Sequence, residues 1–382
     1  MKGNRYLVLL IIICLTLLTG CWDEKLLKDT RFILAMGLDK GSDGKISGIY
    51  STPNANNYPN STILTTVQGH TVRKLTLDVA EKVSENLDST RLEMIFFGEK
   101  LAKEDGIYPY LDISLRDPNN PLNPFLVITK GNVNDYFLNP IPNEKMISEY
   151  YQDLIKSANK RLIFTEVKVL QGSSLFKNEG NDVVVPYISQ SEDKTPRVAG
   201  LALFDDGTFT GEVLNEKESI LFNIMNNQSA THRPSITQKI TSQHEPDIEN
   251  YVSVDITKAK RDLQMHVQNG KVKGVMTVKL TVEIIESPFY KKGEDNDFIR
   301  KQLEKKLTKK GNEIIQKLQS SNCDGLAIGR QLMAYHNDSF KTLNWKEVGY
   351  KEADLKVIFE VSINEHGILT TLLAFAFIIT LL

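Results

Sequence analysis

Cysteine is nearly absent from this chain: Cys14, Cys21 and Cys323 are the three in 382 residues. Three thiols cannot form a disulfide framework, so a small stapled fold is excluded and the core must supply the stability. An excess of charge of one sign is missing too. Lys plus Arg total 46 against 48 Asp plus Glu, and no basic block dense enough to hold a phosphate backbone stands out, which argues against a nucleic-acid partner. Low-complexity tracts and internal repeats are lacking as well. With 41% hydrophobic and 25% charged residues, the chain has the balance of folded globular protein and a length of roughly two to three domains.

Catalytic patterns are the next absence. The histidines His70, His232, His244, His266, His336 and His366 are scattered, with no pair at the spacing of a helical or hairpin metal site. No glycine–serine–glycine nucleophile elbow occurs, and no phosphate-cradling loop ends in lysine and a hydroxyl residue. Residues 39–44 have the outline of a calcium loop, but Gly41 replaces a ligand and Tyr50 stands where the bidentate glutamate belongs, so the segment reads as a turn. Cys323 lies beside Asp324 and Gly325 with no histidine close in sequence, and reads as structural. Tyr150 and Tyr151, or Gly325 and Gly329, could border a pocket, yet core packing and turn geometry account for them equally. No metal, cofactor or catalytic residue is expected.

The strongest positive signal is at the N-terminus. Lys2 and Arg5 precede an almost unbroken apolar run, residues 6–18, which Thr19, Gly20 and Cys21 close. As a helix this run reaches about 20 Å, short of the roughly 30 Å of hydrocarbon a stable span needs, so it reads as an export signal. A cysteine directly behind small residues, with Leu18 three positions before it, has the pattern of a bacterial lipobox. The thiol accepts the diacylglyceryl thioether, and small Thr19 and Gly20 let the backbone enter a peptidase site within the membrane. Cys21 is then the acylated first residue of the mature chain and residues 1–20 are the leader. A plain signal peptide, or an N-terminal anchor with an incidental cysteine, is the alternative.

Two or three acyl chains anchor a protein stably, at about 0.8 kcal/mol per buried methylene, where a single chain is marginal. The expected location is the outer, extracytoplasmic face of a membrane, with the bilayer as first partner. Removing Lys2 and Arg5 from the 46 basic residues leaves 44 against 48 acidic ones, so net charge adds nothing to the attraction.

Along the mature chain, strands and helices alternate. Residues 31–38 and 46–51 flank the turn at 39–44 as a hairpin, and the Asn- and Pro-rich stretch 53–60 reads as a surface loop. Val72, Leu75, Val79, Val83 and Leu87 recur at helical spacing and predict a helix over 72–87. A strand at 94–97, a helix over 101–115 and a strand at 125–129 follow. Pro140 and Pro142 mark a break, with an amphipathic helix from Met146 and a strand at 183–188. Residues 189–196 are polar and are read as a linker. Beyond it come a hairpin at 200–214 and another at 251–285, turned at Asn269 and Gly270, the strongest two-residue turn signal in the chain. A long helix over 297–318 and an alternating strand through Leu355, Val357, Phe359, Val361 and Ile363 end the pattern. The expected fold is α+β in several subdomains: a region of alternating strands and helices over 21–190, with a further division near 131–145, and an antiparallel sheet with one packed helix over 197–366.

Particular residues carry a family resemblance. Cys21, Trp22 and Asp23, then Met36, Gly37, Leu38 and Asp39, resemble the mature start of the Ger(x)C spore-germination lipoproteins. Gly69, the Phe97, Gly98, Glu99 junction, Leu101, Ala102, Leu111, Asp112, Arg116 and Asp117 resemble the family's N-terminal region in order and spacing. Gly200, Phe204, Gly211, Leu214, Glu218 and Ser219 resemble the opening of its C-terminal region, and Asp324, Gly325, Trp345 and the last strand resemble its end. The departure is at Trp345, followed here by Lys346 and Glu347 where the family has an apolar pair.

The resemblance implies the C subunit of a nutrient germinant receptor, a non-enzymatic lipoprotein on the outer face of the spore inner membrane. Its implied partners are the A-type and B-type integral membrane subunits, one of them transporter-like. Only Cys21 carries over as a site. A solute-binding lipoprotein serving a transporter is the alternative, although that class has two similar lobes; a surface hydrolase lacks its motifs. Loops 53–62 and 287–296 are the expected contacts to membrane partners. The apolar tail, residues 367–382, has only Thr370, Thr371 and Thr380 as polar side chains. It has three open readings: a second membrane contact, a segment buried in the domain or against a partner, and a changed reading frame.

Overall fold

A computed structural model describes residues 27–54, 61–139, 146–164, 166–176, 178–227, 233–288 and 296–364. Cys21, the tail 367–382 and most of the loops 53–62 and 287–296 lie outside the described residues. The strands in chain order are β1 Thr30–Phe32, β2 Ala35–Lys40, β3 Ile46–Pro53, β4 Thr62–Gly69, β5 Asn86–Asp88, β6 Met94–Gly98, β7 Phe125–Thr129, β8 Val184–Gln190, β9 Pro196–Asp205, β10 Thr208–Asn215, β11 Ser235–Lys239, β12 Tyr251–Gln268, β13 Lys271–Glu286 and β14 Asp354–Asn364. The helices are α1 Val72–Ala80, α2 Glu99–Glu104, α3 Asp112–Arg116, α4 Asn134–Phe137, α5 Ile147–Lys160, α6 Val169–Leu175, α7 Glu216–Met225, α8 Asn296–Ser320, α9 Ile328–Tyr335, α10 Asn337–Thr342 and α11 Tyr350–Glu352. The fold is mixed α+β, as the sequence implies.

An eight-stranded sheet in the order β10-β9-β8-β7-β6-β2-β3-β4 forms the centre. Its four middle strands run parallel, and an antiparallel hairpin extends it at each side. Middle strands covered on both faces need apolar residues at every position. Met94, Ile95, Phe96 and Phe97 of β6 meet that need, alternating between the two cores. Ile95 and Phe97 face a layer built with α1, α2 and α6. Met94 and Phe96 face α5, and the same core continues through Phe222 and Met225 of α7 into α8 and the second sheet.

The second sheet has four strands in the order β11-β12-β13-β14. Asn269 and Gly270 turn β12 into β13 with positive φ at both positions, 53° and 70°, the conformation that this pair adopts at low cost. The expectation of an antiparallel sheet holds for β11, β12 and β13 and departs at β14, which pairs parallel to β13. The chain between them passes through α8, and a long helical crossover brings a strand back parallel.

Helix α8 packs against β14 in an unusual way. Side chains four apart on the helix bond to backbone groups two apart on the strand. Glu304 accepts from Val361 N–H at 3.0 Å, Thr308 from Phe359 N–H at 2.9 Å, and Asn312 from Val357 N–H at 3.1 Å while donating to Val357 O at 2.9 Å. Four residues of helix advance about 6 Å and two of strand about 6.6 Å, so the two repeats stay in step over three rungs. A sheet edge left open invites pairing with other chains, and this ladder closes it.

Three further expectations are corrected. The helix over 72–87 ends at Ala80, and Leu87 belongs instead to β5, paired parallel with β1. The helix over 101–115 is three short pieces, because Gly106 takes φ +72°, leaving Ile107 N–H on Gly207 O at 3.0 Å, and Pro109 cannot continue a helix. The polar linker 189–196 is the end of β8, a turn closed by Ser191 N–H on Thr195 O at 3.0 Å, and the start of β9.

Candidate functional site: a buried carboxylate joint

Four segments distant in sequence meet at one buried polar cluster. Asp182 arrives just before β8, Asp205 and Asp206 turn β9 into β10, Asn322 and Asp324 follow α8, and Trp345 and Lys346 precede α11. The loop after α8 folds sharply because Asn322 and Ala327 both take left-handed φ, 51° and 56°. That turns the Asp324 carboxylate onto the start of α9, where Ile328 N–H donates at 2.8 Å and Gly329 N–H at 2.7 Å. Trp345 Nε1 donates to the same carboxylate at 3.0 Å. Gly329 lacks a Cβ because the Trp345 indole and the Gly180 backbone occupy its place. On the far side Arg330 N–H donates to Gly180 O at 2.8 Å.

Asp182 ties the first half to this loop. Its carboxylate accepts from Asp324 N–H at 2.8 Å and Asp206 N–H at 3.3 Å, and its own N–H donates to Asp324 O at 3.1 Å. Lys346 binds the Asp182 carboxylate and lies 3.2 Å from Asp205. Asn322 Nδ2 donates to Asp205 Oδ2 and to Lys346 O, each at 3.1 Å. So Lys346, standing where the family resemblance calls for an apolar residue, closes the pairing with two carboxylates.

Burial sets the electrostatics. It pushes Asp324 up to about 7 against the pull of Gly329 N–H, Trp345 Nε1 and Ile328 N–H. Burial likewise raises Asp182 above the usual carboxylate range, with Lys346 holding it back. For Lys346, burial acts downward, but Asp182 and Asp205 keep its pKa above the ordinary lysine value. Burial also raises the Cys323 thiol well above its usual value, which leaves it protonated and unreactive. With their oxygens committed to N–H groups and a lysine, these carboxylates are placed to lock segments together.

Two open clefts flank the joint. One of about 640 Å³ is lined by Phe176, Glu179, Asp206, Lys341, Trp345 and Lys346. The other, about 660 Å³, runs along α6 past Asp182 and Gly325. Among the described residues no group of three His, Cys, Asp or Glu side chains could hold a metal. Asp39, expected as a turn residue, is instead buried and accepts from Val133 N–H at 2.9 Å and Asn134 N–H at 3.4 Å. Tyr151 is buried in the core and Gly325 packs on Val184 and Phe222. Asp205 is legible in the sequence only as a turn residue of the 200–214 hairpin, and Asp182 not at all, because nothing local distinguishes a buried carboxylate whose partner is more than a hundred residues away.

The same chain order appears in known proteins. Residues 23–190 match the family model of the spore germination protein N-terminal domain, and residues 199–367 match that of the spore germination B3/GerAC-like C-terminal region. This chain belongs to the Ger(x)C family. Spore germination protein KC of Bacillus subtilis is 22% identical, with 95% of this chain and 96% of that protein covered. Spore germination protein B3 of the same organism is also 22% identical, over 92% and 95%. The crystal structure of the GerBC protein matches with a TM-score of 0.58 at 19% identity, covering 89% of this chain and 99% of that one. In this Ger(x)C chain both matched regions contribute to the joint: Asp182 lies in the first, Asp205, Asp324 and Lys346 in the second.

Proposed function

We propose that this chain is the lipid-anchored C-type subunit of a nutrient germinant receptor, a non-enzymatic protein held by Cys21 on the outer face of the spore inner membrane. The observation that carries the reading is the pairing of a lipobox ending at Cys21 with a family match over nearly the whole chain. Its work is mechanical: a rigid body that docks the A-type and B-type integral membrane subunits and stabilises their assembly. A joint that fixes both halves in one arrangement suits such a platform. No bound nucleic acid, metal or cofactor is part of this reading.

Replacing Cys21 by alanine should shift the protein from the membrane to the soluble fraction and weaken nutrient-triggered germination, read by membrane fractionation and loss of spore refractility. Unchanged fractionation refutes the anchor. Deleting the chain should deplete the two membrane subunits on immunoblots of spore membranes, and normal levels of both refute the docking role.

A further inference from the structure

One carboxylate is enough to pair Lys346, yet the joint gives it two. Its Nζ binds Asp182 at Oδ1 and lies 3.2 Å from Asp205 Oδ1. The side chain of Asp182 is 5% exposed and that of Lys346 21%, so little water stands between them. A lysine amine in a dry site is a nucleophile, and a buried carboxyl group takes up a proton more readily, which opens its carbon to attack. Burial acts in that sense on both partners, upward on Asp182 and downward on Lys346, against the attraction of their charges. The pair rests as ammonium and carboxylate, and one proton moved between them turns it into amine and acid.

The surroundings supply the other parts of an acyl transfer. Asp324 N–H donates to Asp182 Oδ2 at 2.8 Å, the oxygen on which negative charge collects as a nitrogen adds to Cγ. The opposite oxygen, Oδ1, faces Lys346 and accepts from Asp206 N–H at 3.3 Å. Asp205 is the second carboxylate beside Nζ, within reach of the proton that the attacking nitrogen must lose. Asn322 Nδ2 fixes the other oxygen of Asp205 at 3.1 Å. Asp206 and Lys346 line the open cleft of about 640 Å³, which gives a released water its way out.

We infer that Lys346 and Asp182 join through an intramolecular amide bond in the folded chain, with Asp205 carrying the proton. The Nζ–Cγ bond forms and the Cγ–Oδ1 bond breaks. Of the three ammonium protons, one passes to Asp182, one travels by way of Asp205, and these two leave with Oδ1 as water; the third stays on the amide nitrogen. No oxidant, reductant or cofactor takes part. The ion pair is the state in which the chain first folds, and the amide follows from it. The bond fastens the end of the first matched region to the second. With Cys323 buried and free, it provides the covalent closure of a long loop that a disulfide provides elsewhere.

The test takes the full chain unfolded from inclusion bodies, refolds it by dilution from urea, and follows it by tryptic digestion and mass spectrometry. The amide blocks cleavage at Lys346 and joins residues 178–194 to residues 342–351, lighter by one water than the two peptides together. This linked pair should be absent in urea and should replace the linear peptides as the folded chain is held. Lys346→Arg, which keeps the charge, should yield none while near-ultraviolet circular dichroism reports the native fold. Asp205→Asn should slow the linkage at least about a hundredfold. Full recovery of linear peptides from natural chain that has folded overturns the inference and leaves Lys346 an ion-pair partner only. A linked pair already present in urea, or one that forms equally fast in the Asp205→Asn variant, overturns it too.

Discussion

Asp324 is a carboxylate placed where burial penalises its charge and N–H donors reward it. Because its folded pKa, about 7, exceeds its ordinary 3.8, the folded chain holds that proton more tightly than the unfolded one. The resulting stability is complete below about pH 3.8 and is lost as pH rises through 7. Asp324→Asn removes the titration and one good acceptor for the Trp345 and Gly329 donors, at about 1–3 kcal/mol. The advantage of the natural chain over this variant should therefore shrink from pH 4 to pH 8, read as urea midpoints at each pH. Lys346→Met should cost about 2–3 kcal/mol, below the 3–5 of a fully buried pair because Lys346 keeps some solvent contact. Adding Asp182→Asn should return part of that loss, since the stranded charge is gone; a purely additive double variant would show that the two do not interact. Sequence reading singled out Asp324, Gly325 and Trp345 as marks of the family and located the departure at Lys346. It could not supply Asp182, which is 142 residues from Asp324.

Helix α8 is the element whose sequence is most fully used. Its apolar spacing was plain, because Ile299, Leu303, Leu307, Ile314 and Leu318 mark one face at a period the backbone itself sets. The stripe of Glu304, Thr308 and Asn312 was not, since polar residues at spacing four look like any solvated helix face until a strand edge lies beside them. Replacing both Thr308 and Asn312, as Thr308→Val with Asn312→Leu, should leave backbone N–H groups of β14 unpaired at about 1–3 kcal/mol each. It should also promote edge-to-edge association, seen as concentration-dependent light scattering. An unchanged monomer with unchanged stability would show the ladder to be incidental. Elsewhere the competing signal was tertiary. Val83 and Leu87 continue a helical period, but the pairing of β5 with β1 takes the chain out of the helix. The helix α7 was legible in principle from Asn215 and Glu218, whose reciprocal capping bonds open it at 2.8 and 3.1 Å.

At the scale of the whole molecule, the composition break at 189–196 does not separate two bodies, because β9 and β10 complete the sheet begun by the first half. Phe204 and Phe209 pack with Phe176 and Tyr187 across that point. Residues 197–382 produced alone should accordingly expose Ala202, Phe204 and Phe209 and be digested quickly in limited proteolysis, while co-production with residues 21–196 should restore resistance. A resistant monomer from the second half alone would show that the halves fold independently. A single continuous body also fits the docking role proposed above, since a platform transmits position only if its parts do not swing.

The sequence by itself determined what depends on neighbours along the chain. The mixed α+β character is a matter of local period, and the Asn269–Gly270 turn of two residues that accept positive φ; the proposed anchor at Cys21 likewise rests on adjacent residues alone. Only the tertiary structure decided which carboxylates share the joint and that α8 closes the edge of β14. Those outcomes depend on the path that brings distant segments together, and a buried charge or a strand edge is defined by what lies across from it in space.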